Sequence, residues 1–467
     1  MAEGQGNEAG PPGAAPAPAR GLARLLRLFS VVRPSEVPTA LLLTLTVFLL
    51  LTAYYLLKVA REPLILVGGG AELKSYAAAG QALLLIVVVR VYDAVAQRVG
   101  RMQLIGSVLL FFVSNLVVFW ALGRADVPLG LPFFLWVGIF NVTLVAQFWS
   151  FANDVYTPEQ GTRLFAVIGI GSSVGAVVGA RLAGLLIGRL GPFALMPIAA
   201  GLLLVCLGLF LVVHRREACR SHEHSGSQSV SRDVPLGKKG GASLVLHNRY
   251  LLLVALLVLL LNWVNTTGEY VLDRTLLSAA GDAAAAEGLS VERYVGVFKA
   301  RYFSWVNLLG VLLQLFVVSR VIRYAGISRA LRVLPLVALC GYGLMAFAPV
   351  LSLIFVAKVA ENSLDYSLNN TVRHSLFLVT DREAKYKAKT FIDTLVQRLG
   401  DVLAAACVWL GTTLAMGSTG FALLNVGLVA VWLAVALAIG RHYAQRVGPE
   451  PGAAPGAPPA VAARVGV

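Results

Sequence analysis

Residues 38–66 read PTALLLTLTVFLLLTAYYLLKVAREPLIL, with no charged side chain before Lys58. About 20 consecutive apolar residues suffice for a helix to cross a bilayer. Lys58, Arg61 and Glu62 then follow at three- and four-residue steps, so they share one helix face. A charge near the bilayer centre costs about 2.5–3.5 kcal/mol on insertion scales. The stretch therefore predicts a membrane-spanning helix whose charged face lies against other polar groups rather than lipid.

The whole chain shares this apolar character. Of its 467 residues, 58% are hydrophobic and only 13% are charged. Soluble domains average about 45–50% apolar and about 25% charged residues. This balance excludes a soluble enzyme, a disordered protein and a nucleic-acid-binding module. The formal net charge of +15 fits either a polyanionic ligand or basic cytoplasmic loops.

Twelve apolar runs follow one another along the chain, six on each side of a polar gap. We therefore predict an all-α integral membrane protein of about twelve transmembrane helices in two six-helix bundles, the major-facilitator-like architecture. The runs lie near 38–66, 75–96, 102–122, 130–152, 163–187, 192–213, 250–277, 294–319, 330–348, 350–379, 390–414 and 419–440. The predicted division is a disordered cytoplasmic tail (1–36), an N-terminal bundle (37–213), a basic cytoplasmic linker (214–249), a C-terminal bundle (250–440) and a disordered cytoplasmic tail (441–467).

The distribution of Lys and Arg predicts the orientation. Twenty-five of them fall on the side shared by both termini, and four, Lys74, Arg124, Arg189 and Arg293, fall in the opposite loops. Basic loops stay in the cytoplasm. We therefore expect a multi-pass protein of the cytoplasmic or inner membrane with both termini cytoplasmic. This asymmetry accounts for the positive sign of the net charge without a polyanion.

Ten basic and eight acidic residues remain inside the predicted helices. Charged residues in the membrane mark a functional site by default, and an ion-pair network that locks helices together is the competing interpretation. Because both signs occur on several helices, the set suits an anionic small-molecule substrate in a wet cavity. The candidate transport residues from this set are Lys58, Arg61, Glu62, Glu269, Asp273, Lys358, Glu361, Asp365, Arg373 and Arg398.

Motifs for enzyme chemistry are weak. The sequence Gly171-Ser172-Ser173-Val174-Gly175 matches a hydrolase pattern but lies inside the fifth apolar run rather than at a strand–helix turn. Gly171, Gly175 and Gly179 at four-residue steps instead predict a face for close helix packing. The four cysteines are widely scattered, so we predict no disulfide framework, no metal site and no cofactor.

Four blocks resemble the ATP/ADP translocases of plastids and obligate intracellular bacteria. The blocks are Lys58-Val-Ala-Arg61-Glu62-Pro with Gly70-Ala-Glu72, Phe148-Trp-Ser-Phe-Ala-Asn153, Asn265-Thr-Thr-Gly-Glu269, and Asp365-Tyr-Ser-Leu368 followed by Lys385, Lys387-Ala-Lys389, Ile392-Asp393 and Leu399-Gly400. They keep the order and spacing of the family. The resemblance implies a facilitator-like fold and nucleotide exchange. It also implies that Lys58, Arg61, Glu269, Arg373, Lys387 and Lys389 occupy positions important for transport.

The chain departs from the family pattern at two charges. Asp365 and Asp401 stand where the family usually has Lys. Three hypotheses follow. The first is a nucleotide exchanger that works by alternating access, and the second is a facilitator that transports another anion with proton coupling through Glu269 or Asp365. The third is a membrane-embedded enzyme or interaction scaffold. No catalytic motif supports the third, so we predict a secondary transporter rather than an enzyme. Its predicted partners are a small-molecule anion, which the resemblance implies is a nucleotide, and the lipid bilayer; no nucleic acid is expected.

Overall fold

The computed structural model describes residues 36–221, 240–381 and 383–447, and these form helices joined by short turns. Four π-helical turns, at Gln314–Val318, Asp365–Asn369, Ala384–Ala388 and Ile392–Val396, interrupt the helices of the second half. The α-helices are α1 (Val37–Ala96), α2 (Arg101–Arg124), α3 (Gly130–Val155), α4 (Pro158–Leu190), α5 (Leu195–Ser221), α6 (Gly241–His247), α7 (Arg249–Ala286), α8 (Val291–Leu313), α9 (Ser319–Ala330), α10 (Val333–Phe347), α11 (Leu351–Leu364), α12 (Asn370–Ser375), α13 (Lys389–Phe391), α14 (Gln397–Thr413) and α15 (Ser418–Val447).

The helix α1 is a hairpin of two limbs. Its 60 residues would extend about 90 Å if straight, three times the thickness of a bilayer core. The chain reverses at Gly70, whose φ of 78° and ψ of 175° lie outside the helical region. Lys74 Nζ consequently lies 2.5 Å from Glu62 Oε2, although 12 residues of straight helix would separate them by about 18 Å. The first two predicted spans are thus the two limbs of α1.

Six helical rods precede the gap at 222–239 and six follow it, within the residues that the structure describes. The count takes α1 as two rods and leaves out the seven-residue α6. It joins α8 to α9 as far as the non-helical Gly326, joins the rest of α9 to α10, and joins α11 to α12 and α13 to α14 across their π-turns. Eight helices of the described part are long and apolar enough to cross a membrane. The predicted all-α, multi-pass membrane protein is confirmed.

The glycines of α4 set the packing within the first half. A Cβ on Gly171 would lie 2.6 Å from the carbonyl oxygen of Thr44, and one on Gly179 would lie 2.7 Å from that of Thr52. Gly175 lies between them against the carbonyl of Phe48. Only hydrogen fits at these positions, so α4 approaches the backbone of the first α1 limb as small-residue faces allow in membranes.

The two halves meet along α4 and α8. A Cβ on Gly184 of α4 would lie 2.9 Å from the Ala300 Cβ of α8. Large apolar side chains, such as Leu83, Leu185 and Phe347, cover the outer surface, as expected for helices that contact lipid. We call the end of the bundle where α1 begins, at Val37, the proximal face. The opposite end, with the Gly70 turn, is the distal face.

Several helices extend beyond their predicted limits. The helix α5 continues to Ser221, α6 lies within the predicted linker 214–249, and α15 continues to Val447. Lys74, expected in a loop, lies inside the second α1 limb, and Lys387 and Lys389 lie in helical turns before α14. Most of both predicted tails, 1–35 and 448–467, and residues 222–239 of the linker lie outside the described residues.

Candidate functional site

Four buried charges form a cluster that joins the two halves of the molecule. Lys74 Nζ lies 2.5 Å from Glu62 Oε2 and 2.7 Å from Asp273 Oδ2. Lys299 pairs with Asp273 and lies 3.7 Å from Glu62. Glu62 and Lys74 come from the two α1 limbs, whereas Asp273 comes from α7 and Lys299 from α8. We call these four residues the distal cluster.

The distal cluster is electrically balanced and shielded from solvent. None of its four side chains is more than 9% exposed. Removing one member of such a buried pair leaves an uncompensated charge and costs about 3–5 kcal/mol. Because each cation contacts both carboxylates, the cluster ties α1, α7 and α8 together near the distal face.

Arg61 extends the cluster toward a cavity. Its Nε lies 3.2 Å from Glu62 Oε1, and its guanidinium lies 4.4 Å from the ring centroid of Phe134 in α3. A guanidinium held against an aromatic face keeps its remaining N–H groups available to a ligand.

Two cavities lined by described residues lie at the interface between the halves, and the smaller of these is charged. Its volume is about 160 Å³. Asp401, in its wall, accepts hydrogen bonds from Thr266 at 2.9 Å and Arg398 at 3.3 Å. Glu269 also lines it and has no hydrogen-bond or ion-pair partner among the described residues. The other charged residues of its wall are Arg61, Lys74 and Asp273.

The larger cavity, about 390 Å³, is polar but uncharged. Tyr55 of α1 and Asn307 of α8 lie in its wall, and the Tyr55 hydroxyl donates to Asn307 Oδ1 at 2.9 Å. The Asn307 amide donates in turn to the carbonyl of Ala176 in α4 at 3.4 Å. Its remaining polar lining is Ser172, Ser173, Gln314, Tyr366, Asn370 and Thr371. This size is within the usual range of small-molecule sites.

Lys58 lies on α1 between Tyr55, which lines the larger cavity, and Arg61, which lines the smaller one, and three aromatic rings lie near its ammonium group. Its Nζ is 4.3 Å from the ring centroid of Phe303, 5.2 Å from that of Tyr55 and 5.9 Å from that of Tyr54. No carboxylate of the described residues pairs with it. Aromatic faces attract a cation without supplying a counter-charge, so Lys58 can still pair with an anion.

Lys358 and Glu361 lie elsewhere, inside the second half. Lys358 Nζ lies 2.9 Å from Glu361 Oε2 and 2.8 Å from the side-chain oxygen of Asn265 in α7. The Tyr342 hydroxyl of α10 donates to the same carboxylate at 2.9 Å. Neither charge lines either cavity. The group joins three helices of one half.

The other candidates are spread along the proximal part of the second half. Asp365 begins a π-turn and accepts a hydrogen bond from Asn369 at 2.7 Å. The Nε of Arg373 is buried without a hydrogen bond. Lys387 lies in the π-turn Ala384–Ala388, and Lys389 Nζ lies 6.0 Å from the ring of Phe377. These residues do not line the two cavities.

Lys74 and Lys299 are the site residues that sequence reasoning missed. Lys299 was one of the ten basic residues inside predicted helices, but its spacing marked no shared charged face. Lys74 falls between two apolar runs, so hydropathy alone assigned it to a loop. Only the reversal at Gly70 brings it to Glu62 and Asp273. Among the described residues, no group of three or more His, Cys, Asp or Glu side chains could hold a metal ion.

Comparison with solved structures identifies the fold. A bacterial homologue of the iron transporter ferroportin, in its inward-facing state, superposes with a TM-score of 0.61 over 86% of this chain and 99% of that one, at 14% identity. The POT-family transporter PepTSo gives 0.61 over 88% and 99%, at 12% identity. The nucleoside transporter NupG gives 0.57 over 87% and 99%, at 13% identity. The chain shares the fold of these three proteins.

A relative is also found by sequence. The chain is 22% identical over 345 residues to ADP,ATP carrier protein 1 of Chlamydia pneumoniae. The match covers 65% of this chain and 65% of the relative, just under two thirds of its length. No family model matches the chain. This match confirms the resemblance to ATP/ADP translocases that the sequence blocks indicated.

Proposed function

We propose that the protein is a secondary transporter that exchanges nucleotides across a membrane by alternating access. The observation that carries this proposal is a stripe on α1. Tyr55 lines the uncharged cavity, Lys58 follows one turn later, and Arg61 lines the charged cavity. Residues three apart on a helix are neighbours, so one face leads from aromatic and amide groups to cations.

A nucleotide has the matching division of chemistry. Its base offers a ring face and hydrogen-bonding edges, which suit Tyr55, Tyr366 and Asn307 around the larger cavity. Its phosphates are good acceptors for Lys58 and Arg61, because charge-assisted hydrogen bonds to Lys and Arg are strong. The similarity to an ADP,ATP carrier supports the same cargo.

The two halves, 37–213 and 250–440, are proposed to be the bodies that rock against each other, with both termini cytoplasmic. The basic residues on the proximal side support this orientation. The candidates Lys358, Glu361, Asp365, Arg373, Lys387 and Lys389 are proposed to act around this path, by holding helices or by lining the proximal approach.

Exchange in proteoliposomes tests the function. Purified protein is reconstituted, and uptake of labelled ADP is measured with ATP, ADP, GTP or no nucleotide inside. Uptake is expected only against an internal nucleotide. Lys58→Met should lower this uptake at least about tenfold, because it removes a cation that lies among three aromatic rings and pairs with no carboxylate of the described residues, whereas Lys58→Arg should retain part of it.

The matched control is Arg90→Met, because Arg90 is exposed and lines neither cavity. It should exchange at the wild-type rate. Absence of counter-exchange with every nucleotide, in protein that is folded by thermal unfolding, would overturn the proposed cargo.

A second candidate is proton-coupled transport of another anion. Glu269 in the smaller cavity has no ion-pair partner among the described residues, and Asp365 contacts Asn369 but no cation within 4 Å. A carboxylate without a cation partner can take up a proton. Uptake of a non-nucleotide anion driven by a pH gradient, and abolished by Glu269→Gln, would favour this candidate over exchange.

A further inference from the structure

We propose that Lys74 and Lys299 are positioning residues that hold the distal face closed, and that the distal cluster is built to divide into two neutral pairs. The proposal rests on the proposed transport function, because a closed distal face has a role only if the path opens to both sides in turn. Neither lysine lines the larger cavity.

The position of the distal cluster supports closure on that side. Glu62 is seven residues beyond Tyr55 along the first α1 limb, about 10 Å nearer the distal face. Lys299 is eight residues before Asn307 in α8, about 12 Å in the same direction. Tyr55 and Asn307 line the larger cavity. The four buried charges therefore lie between that cavity and the distal face.

The pairing within the cluster shows how it could open. Glu62 and Lys74 belong to the first half and lie 2.5 Å apart. Asp273 and Lys299 belong to the second half and form their own pair. Separation of the halves breaks only the two cross contacts, Lys74 with Asp273 at 2.7 Å and Lys299 with Glu62 at 3.7 Å.

Each half keeps a paired carboxylate and ammonium after this separation. A cluster made of two cations on one half and two anions on the other would hold more tightly, but its opening would expose unpaired like charges. The observed arrangement combines attraction across the interface with a paired carboxylate and ammonium on each side. This is what a contact that must form and break repeatedly requires.

A link to the cargo site follows from Phe303. Its ring lies 4.3 Å from Lys58 Nζ, and it follows Lys299 by four residues, so the two are neighbours on the α8 surface. An anion bound at Lys58 lies about one turn from Lys299. It therefore competes with the Glu62 carboxylate for the ammonium group of Lys299. Cargo binding thereby weakens one cross contact of the cluster.

Charge reversal tests the cluster without any transport assay. In D273K/K299D the second half keeps its own pair, but each cross contact becomes repulsive. In the quadruple variant E62K/K74E/D273K/K299D the cross contacts are attractive again. Both are made in a background with the native cysteines replaced and Ser172→Cys as a probe in the larger cavity.

The readout is the rate at which an impermeant thiol reagent labels the probe from each face. D273K/K299D should label from the distal face at least about tenfold faster than the parent, and the quadruple variant should return toward the parent rate. This rescue separates gating from a loss of fold. Equal distal rates in the parent and D273K/K299D would overturn the proposal, as would a folded quadruple variant that stays open.

Two further measurements keep the test decisive. If D273K/K299D does not fold, the neutral variant D273N/K299Q should still raise the distal rate, and an unchanged rate contradicts the proposal. Added ADP should change the labelling rate of the parent, upward where it opens the distal face and downward where it covers Ser172→Cys in the larger cavity. If ADP has no effect while reversal and rescue behave as expected, the gate is supported and the nucleotide cargo is contradicted.

Discussion

The Tyr55 hydroxyl donates a hydrogen bond to Asn307 Oδ1 at 2.9 Å, and this bond joins the first half to the second in the wall of the larger cavity. Tyr55 also faces Lys58 and Phe303 with its ring. In the proposed exchange, a cargo in the cavity would therefore contact a bond between the two halves. The same residue both shapes the cavity and holds the halves together.

Tyr55→Phe is expected to destabilise this conformation by about 1–3 kcal/mol, because the buried Asn307 oxygen loses its donor. Tyr54→Phe is the matched control, since the Tyr54 hydroxyl has no hydrogen-bond partner among the described residues. Thermal unfolding of both variants in detergent, with labelling of Ser172→Cys, measures the difference. Equal effects of the two substitutions would contradict a role for the Tyr55–Asn307 bond.

Gly179→Ala is expected to lower stability by about 1–3 kcal/mol. Its Cβ would lie 2.7 Å from the Thr52 carbonyl oxygen, so the α1 and α4 backbones must move apart. Gly169→Ala on the same helix has no atom within 4 Å of the added Cβ and should be neutral or slightly stabilising. The measurement is the unfolding temperature of both variants. A stable Gly179→Ala protein would show that the packing of this helix pair can relax.

Gly70→Ala is expected to cost about 1–3 kcal/mol through backbone strain, because the φ of 78° with ψ of 175° is a conformation essentially limited to glycine. Gly68, two residues earlier, has open space around its Cβ position and no positive φ. Gly68→Ala therefore provides the control. Thermal unfolding should separate the two, and Gly70→Ala should also loosen the Glu62–Lys74 pair, which depends on the reversal.

Hydropathy predicted the number and order of the rods because lipid imposes a minimum apolar length on every span. It also predicted a reversal between the spans at 38–66 and 75–96, but not that the reversal would take only the single non-helical residue Gly70. The consequence was the loop assignment of Lys74. A single backbone angle thus decided whether this lysine was a surface charge or a buried partner of two carboxylates.

Shared helix faces predicted which charges turn inward, but not which of them meet. Lys358 and Glu361 have the same spacing as Lys58 and Arg61, yet the first two pair within one half, whereas Arg61 lines the charged cavity and Lys58 lies among aromatic rings. The difference depends on the rotation of each helix about its axis, which neighbouring helices set by packing. The sequence of one helix does not contain that information.

The Lys358–Glu361 group should behave as a helix anchor rather than as a cargo site. Lys358→Met leaves the buried Glu361 carboxylate without its cation and is expected to cost about 3–5 kcal/mol. K358M/E361L removes both charges and should recover most of that loss, so the double-mutant cycle shows strong coupling in thermal unfolding. The control pair Arg398–Asp401 is more exposed, with 33% and 13% of the side chains accessible, and R398Q/D401N should change stability by no more than about 1 kcal/mol.

The KM for exchange should stay near the wild-type value in K358M/E361L, because neither residue lines a cavity. A KM raised tenfold in a double variant of normal stability would instead place Lys358 among the residues that bind cargo.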